Sequence, residues 1–498
     1  MKAAWIQKVG KFPEILFNSL FQVEIQKDLR WLRGLWLAGL YALGFSWFGA
    51  LFEWGNHPLN FEDWSLIAGP RLQFFTNAMR TLQLPLHISS AAAMHDFTTR
   101  YLSVPDTIFS PQLVLLRWNE IGPFDLRNVL LLYTLGFVGL LFLASRFRLS
   151  VISFAVLFLL FNFNGHVVAH YSVGHDSWGG YFLFPWFAWL VFRLLDGEHT
   201  WTWTLGMAVL MFVIWLQGSY HQYIYLLIFL GVVGIFIPRT FWTVIRTGVF
   251  TIFLSAFRIL PAALLNLNYS GPFTNGYPIV YSLWDALVVP YGPGTDHFYQ
   301  SGLGDGIGAH EVTLFIGLIG ALFLVYFGIY RGLIARQAPF RKLTLPLMVM
   351  LILAMGWVFG ALRSIPIPLI QGERVSTRIL SVVLLFGFIF TADRFQRWLD
   401  ETQDRSYFRA VSLPVVLLMG FDLWQNLNVW RLSNAIARFE KIYYNPDLWF
   451  VANDYTDTLY FGMIGAGLAI TLLTFGILLV LARRERRRKI SAEQSTSS

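Results

Sequence analysis

Cysteine is absent from this chain of 498 residues, which excludes disulfides, thiolate metal sites and a cysteine nucleophile. Charge is scarce as well. Charged residues make up 13% and hydrophobic residues 56%, with a mean hydropathy of +0.55, more than a water-soluble core of this size needs. No Gly-rich nucleotide cradle stands out, no internal repeat is convincing, and no separate soluble domain is visible. Near the start, Lys2, Lys8 and Lys11 are spaced through a mixed segment. No compact apolar core is followed there by small residues, so no cleavable signal is expected.

What the chain has instead is a series of apolar runs of the length that crosses a bilayer, about 17 to 25 residues. They fall near 33-54, 128-145, 149-163, 178-195, 201-217, 220-237, 241-260, 311-330, 343-362, 377-394, 408-428 and 459-482. The expected fold is all-α: a polytopic integral membrane protein of about twelve transmembrane helices. With the N-terminus in the cytoplasm, the loops on that side carry Arg146, Arg148, Arg193, Arg239, Arg246, Arg331, Arg336, Arg341 and Lys342. Arg394, Arg397, Arg405, Arg409 and the tail run Arg483 to Lys489 follow on the same side. Basic residues are retained inside during insertion, so both termini are expected to be cytoplasmic. The formal charge of +8 then reflects topology and calls for no nucleic-acid partner.

Three segments result: a cytoplasmic amphipathic lead-in over 1-31, a multispanning domain over 32-482, and a solvated basic tail over 483-498. Two external loops are long, about 55-127 and 261-310. Pro85, Pro105, Pro111 and Pro123 divide the first into short semi-apolar stretches, which suits interfacial helices lying on the membrane. The second contains GPFTNGYP and PYGPGTDHFYQSGLGDGIGAHE, the composition of an ordered or gating loop over a cavity.

Nine of the ten histidines (His57, His87, His95, His166, His170, His175, His221, His297, His310) fall on the outer side, leaving His199 inside. The outer loops are also longer, so part of this excess is length. His166 and His170 share one helical face at i, i+4 but lack the glutamate of HExxH, and interfacial hydrogen bonding explains them more simply than a metal does. Four constellations carry the candidate chemistry. Glu62 and Asp63, in FEDW after the first span, suit a general base or a divalent cation such as Mg or Mn, or are simply solvated. Asp296, His297, Asp305, His310 and Glu311 form the second, with Glu311 placed to cap the apolar run it opens. Glu373, Arg374 and Arg378 stand on the side that the positive-inside rule disfavours. Arginines there are costly unless paired, either with phosphate or with a protein carboxylate such as Asp422. Arg258 and Asp422 lie inside spans or at their ends, where ionisable groups face a cavity or each other.

The order of NFEDW, SPQLVLLRW, NFNGHVVAH, LSAFRILPAALL, HEVTLFIG, GERVSTR and GFDLWQN resembles the bacterial YfhO-type membrane proteins. Those are similar in turn to the GT-C class of multispanning glycosyltransferases. The resemblance runs roughly from the first span to the eleventh. It implies a GT-C-like fold in the bacterial cytoplasmic membrane with an external or periplasmic active face. It also implies transfer of a sugar from a polyprenyl-phosphate carrier to a lipid, polymer or protein acceptor. By position, it implies that Asp63 is the base or orients the acceptor, helped by Glu62, and that Glu311 is a second acid. Arg374 and Arg378 would hold the carrier phosphate, and Asp422 with Asn426 forms an acid–amide pair late in the chain. His310, beside Glu311, and Arg258 complete the expected substrate-binding set. One departure is that Glu62 and Asp63 are adjacent and form no separated DxD, which bears on metal dependence.

A lipid-linked donor already carries an activated anomeric carbon. Its transferase needs a carboxylate to take the acceptor proton and cations to stabilise phosphate charge, together with a lateral opening for the isoprenoid tail. The expected reaction is an inverting transfer with Asp63 as base and Arg374 and Arg378 on the leaving phosphate. The strongest alternative is a transporter or flippase of a lipid-linked or anionic solute. Such proteins place charges near mid-membrane on interrupted helices, often in two related halves, whereas here the polar groups crowd the external mouth. A non-catalytic subunit of a membrane assembly would tolerate substitution of the outer acids.

Overall fold

The computed structural model describes residues 12–24, 27–94, 96–266, 275–294, 308–334, 340–363, 374–402 and 406–497. Lys2, Lys8, Lys11, His95, Asp296, His297, Asp305 and Glu373 lie outside the described residues, as do 267–274 and 295–307 of the second long loop. Among the described residues the chain is helical, with only isolated β-bridges. Seven helices are long and apolar enough to cross a membrane: Arg30–Leu51, Ile121–Arg146, Val151–Ser172, Ala309–Tyr330, Ser376–Glu401, Tyr407–Trp430 and Thr458–Gln494. Tyr220–Phe236 and Pro238–Leu254 make an eighth if the pair, bent by 120°, is one span.

Other expected runs form shorter helices, Phe184–Leu195 and Trp201–Leu216. The 343-362 run is divided into Phe340–Leu353 and Gly356–Arg363. That division has a backbone cause: Tyr277 N donates to Ala354 O at 3.3 Å, and Gly356 N to Tyr277 O at 3.1 Å. A passing strand of chain thus takes over the hydrogen bonds that a continuous helix would have made.

Burial sorts the spans. Val151–Ser172 is buried along its whole length, whereas little of Tyr407–Trp430 or Thr458–Gln494 is buried. A helix that is apolar all round and fully enclosed is the core of its bundle, and this one carries His166 and His170. It is also broken. Asn164 ends its first part, donating to the carbonyls of Leu160 and Phe161 at 2.9 Å while its Oδ1 accepts from Val167 N at 3.4 Å. Ala309–Tyr330 is likewise broken, running extended between Ala309–Val312 and Gly317–Phe323. The two breaks meet, with Gly165 N donating to Phe315 O at 2.7 Å. A Cβ on residue 165 would lie 2.7 Å from Phe315 N, so glycine is required for this approach. Leu314 N and Ile316 N donate to the carbonyls of Ala286 and Leu287 at 2.9 Å. Irregular backbone persists in a low-dielectric interior only when its polar groups are satisfied in this way.

The first long loop folds over one end of the bundle as a cap. Helix Gly69–Thr81 and several tight turns enclose an apolar cluster that includes Phe74, Phe75, Ile88, Tyr101 and Leu102. Asp457, at the start of the last span, pins this cap by accepting from Arg100 Nε and Nη2 at 2.5 and 2.9 Å and contacting His87 Nε2 at 3.2 Å.

Candidate functional site

Four segments distant in sequence meet beneath the cap. Val151–Ser172 ends in a turn in which Gly174 N donates to Tyr171 O at 3.2 Å and His175 N to His170 O at 3.0 Å. Gly174 has φ +96°, and a Cβ there would lie 2.4 Å from Trp64 N and 2.8 Å from Asp63 C. Only glycine lets this turn press against the Asp63–Trp64 peptide. Trp64 Nε1 also donates to Ser172 O at 3.1 Å. These contacts deliver His175 to Asp63, whose Oδ2 is 2.8 Å from His175 Nε2. On its other side His175 Nδ1 is 2.7 Å from His170 Nδ1, and Trp178 stacks on His170 at 3.9 Å.

The protons in this chain can be counted. An ionised carboxylate only accepts, so His175 Nε2–H donates to Asp63. The His170–His175 contact needs one proton between the two Nδ1 atoms, and when His170 carries it on Nδ1 its Nε2 presents a lone pair. That nitrogen is buried without a hydrogen-bond partner and lies 3.8 Å from Glu311 Oε2. Glu311 is held from the far side. Arg378 Nε donates to its Oε2 at 2.8 Å, Arg378 Nη2 donates to its Oε1, and Thr377 Oγ1 donates to its carbonyl at 2.5 Å. His310 Nε2 is 3.8 Å from Glu311 Oε1.

The carboxylate that pairs Arg378 is therefore Glu311 and not Asp422, and the Glu311 side chain serves this pair in place of a helix cap. Asp422 packs over Gly317, which has φ +73° and whose Cβ would lie 2.8 Å from Asp422 Oδ2. Asn426 is buried, with neither amide atom hydrogen-bonded. Arg374 is half-buried next to the bridge between Asn275 and Val375. Glu62 is half-buried beside Asp63 at φ +42°, a conformation non-glycine residues seldom adopt. Arg258 faces neither Asp422 nor this cluster. It is fully buried under the cap, and its Nη2 donates to Thr107 O and Oγ1 at 2.9 Å and to Pro105 O at 3.2 Å. Its contacts are those of a residue that holds the cap.

Two members of the site escaped the sequence reading: His175 and Trp178. The signal was present as HVVAHYSVGHDSW, three histidines within ten residues, but only the i, i+4 pair stands out by helical spacing. Asp176, outside the spans, has its carboxyl pushed up to about 7 by burial and by the like charges of Asp125 and Asp106, against the opposing pull of Arg71. An acid poised near neutrality beside a histidine chain is a common mark of a functional site. His170, His175 and Glu311 can each turn one ligand atom into a group spanning no more than 4.8 Å; among the described residues Glu62 and Asp63 belong to no such group.

No protein-family model matches this chain, and no curated protein matches it. The fold brings the segments NFEDW, NFNGHVVAH and HEVTLFIG, with the described RVSTR part of GERVSTR, to one place. Elsewhere, an apolar cleft of about 660 Å³ runs between the first span, the buried Val151–Phe163 helix and Tyr407–Trp430, lined by Trp36, Leu40, Trp47, Leu159, Gly420 and Trp424 among others.

Proposed function

We propose that this protein is a membrane glycosyltransferase with a GT-C-like fold, moving a sugar from a polyprenyl-phosphate carrier to a lipid, polymer or protein acceptor. One observation carries the reading: Asp63, Glu311 and Arg378, which the motif order singles out for base and phosphate chemistry, converge in one network through His175 and His170. In this reading Asp63 takes the acceptor proton, with His175 orienting its carboxylate. Arg378, kept in place by Glu311, supplies positive charge toward the leaving phosphate, and Arg374 assists from the preceding turn. The apolar cleft receives the isoprenoid tail. Its lining includes Gly420, Phe421 and Trp424, which flank Asp422, the residue packed on Gly317 of the Glu311 segment.

The same reading assigns twelve crossings, the shorter apolar helices included, because contacts alternate between two ends along the chain. One end holds Asp63, His175, Arg258, Glu311 and Arg378. The other joins Arg146 to Asp196 at 2.7 Å, Ser150 N to Gln396 at 2.8 Å, Trp201 N to Glu485 at 2.7 Å and Arg331 to Glu401 at 2.6 Å. The second end is the basic one, which supports a bacterial cytoplasmic membrane location with both termini inside and the site facing outward.

A second reading has its own support. The breaks at Asn164 and at 313–316 are the kind of interrupted helices on which transporters bind anionic solutes. Purified protein in liposomes, offered a panel of polyprenyl-phosphate sugars and acceptors, separates the two. Transfer by the wild type that falls at least roughly 100-fold in Asp63→Asn is the expected result. Equal turnover by the variant removes Asp63 as base. Movement of the intact lipid-linked sugar between leaflets without transfer establishes transport.

A further inference from the structure

We infer that His170, His175 and Glu311 bind a divalent transition-metal ion of the zinc class. The inference goes beyond the transferase reading and does not require it. Three separate features point to the ion. The three ligand atoms lie within 4.8 Å of one another. His170 Nε2 is buried with no hydrogen-bond partner and aimed at Glu311 Oε2 from 3.8 Å, too far for a hydrogen bond. In the tautomer with its proton on Nδ1, His170 faces Glu311 with a nitrogen lone pair, and the two repel unless a cation lies between them. Ligands on tetrahedral zinc stand ~3.3 Å apart, so this gap closes by about half an ångström, and a group spanning up to 4.8 Å draws together by up to about 1.5 Å.

The third feature is the outer partners. A ligating histidine ordinarily donates its other ring N–H to a carboxylate, and a ligating carboxylate is itself hydrogen-bonded from behind. His175 has its Nε2 on Asp63 at 2.8 Å, and its Nδ1 exchanges the 2.7 Å contact with His170 Nδ1 for the ion, while Glu311 is held from behind through Arg378 Nε at 2.8 Å. The donor set also selects the metal. Two imidazoles and one carboxylate suit Zn²⁺, Co²⁺ or Ni²⁺, whereas Mg²⁺ and Ca²⁺ take oxygen ligands. Two histidines and a glutamate leave a fourth position open. The fourth position would take water, hydroxide or a phosphate oxygen.

The test uses the full chain purified in detergent, with any affinity tag removed, and reads metal rather than turnover. Zinc content after dialysis is measured by mass spectrometry, and Co²⁺ is titrated while its visible absorption is followed. The wild type and His166→Ala, which alters a neighbouring histidine outside the ligand set, are expected to hold one ion per chain. His170→Ala and His175→Ala are expected to bind at least tenfold more weakly, and Asp63→Asn roughly tenfold more weakly through the outer shell. Thermal melts accompany each variant. Should His170→Ala not fold, His175→Ala decides, since its side chain is partly exposed and leaves no core cavity. A folded wild type that binds neither Zn²⁺ nor Co²⁺, or a His175→Ala protein that binds like the wild type, overturns the inference. Failure of sugar transfer bears only on the transferase.

Discussion

Removing the charge of Glu311 tests whether the site is held by electrostatics or by packing alone. Its side chain is 9% exposed and that of Arg378 10%, and the two share a bidentate contact. Taking one partner from a buried pair leaves the other desolvated and uncompensated, at a cost of about 3–5 kcal/mol. Glu311→Gln keeps the volume while presenting an amide N–H₂ to a guanidinium that can only donate. Thr377 Oγ1 still holds the backbone carbonyl, so the loss isolates the side chain. Replacing both partners, Glu311→Met with Arg378→Met, removes the charge and the need for it together, and such exchanges are commonly neutral within about 1 kcal/mol. The assay is a double-mutant cycle on thermal unfolding in detergent, read as a ranking of midpoints because a multispanning chain does not unfold in two states. The expected order puts Glu311→Gln and Arg378→Met well below the wild type and the double variant close to it. A double variant as unstable as the single ones would refute the reasoning, since the destabilisation would then come from lost shape and not from the orphaned charge.

Two further perturbations address how the site and its cap are assembled. Gly174→Ala places a Cβ 2.4 Å from Trp64 N at φ +96°, at a backbone cost of about 1–3 kcal/mol plus separation of His175 from Asp63. Turnover and metal affinity should both fall, whereas Gly197→Ala, at φ +100° with open space around it, should alter neither. Asp457 governs the cap. Burial raises its pKa, but hydrogen bonds from Arg100 and His87 outweigh burial and hold the carboxyl below the usual range. The folded value lies below the unfolded one, so this stabilisation is present above about pH 4 and is lost as pH falls through the lower folded value. Limited proteolysis should therefore open the cap only in acid for the wild type and already at neutral pH for Asp457→Asn. A variant as resistant as the wild type at neutral pH counts against the clamp.

Composition and run length carried the membrane class because burying so little charge in so much apolar surface has few other outcomes. Run length did less well for Phe184–Leu195 and Trp201–Leu216, because a helix enclosed by neighbours is not obliged to match the bilayer. Arg378 was legible as a charge out of place, and Asp63 and Glu311 as acids at the ends of apolar runs. His175 was not, since it lies past the helix end and reaches Asp63 only through the turn at Gly174, a tertiary contact with no periodic signature. Arg258 misled for the opposite reason. An arginine in an apolar run suggests an acid or a substrate as partner, yet Arg258 Nη2 donates to backbone carbonyls of a loop about 150 residues away.

The two helix breaks were invisible to hydropathy, which averages side chains, while a break is decided by where the backbone finds other partners. Their form also weighs on function. In a transporter an interrupted helix serves as a hinge, which requires its unwound backbone to exchange partners at low cost. Here Gly165 N is tied to Phe315 O, and Leu314 N and Ile316 N are tied to Ala286 and Leu287, all at 2.7 to 2.9 Å within buried surroundings. Moving either half-helix would break several of these bonds at once where no water can replace them. Such cross-tied breaks suit a site that stays fixed while a substrate comes to it, as the proposed transferase requires.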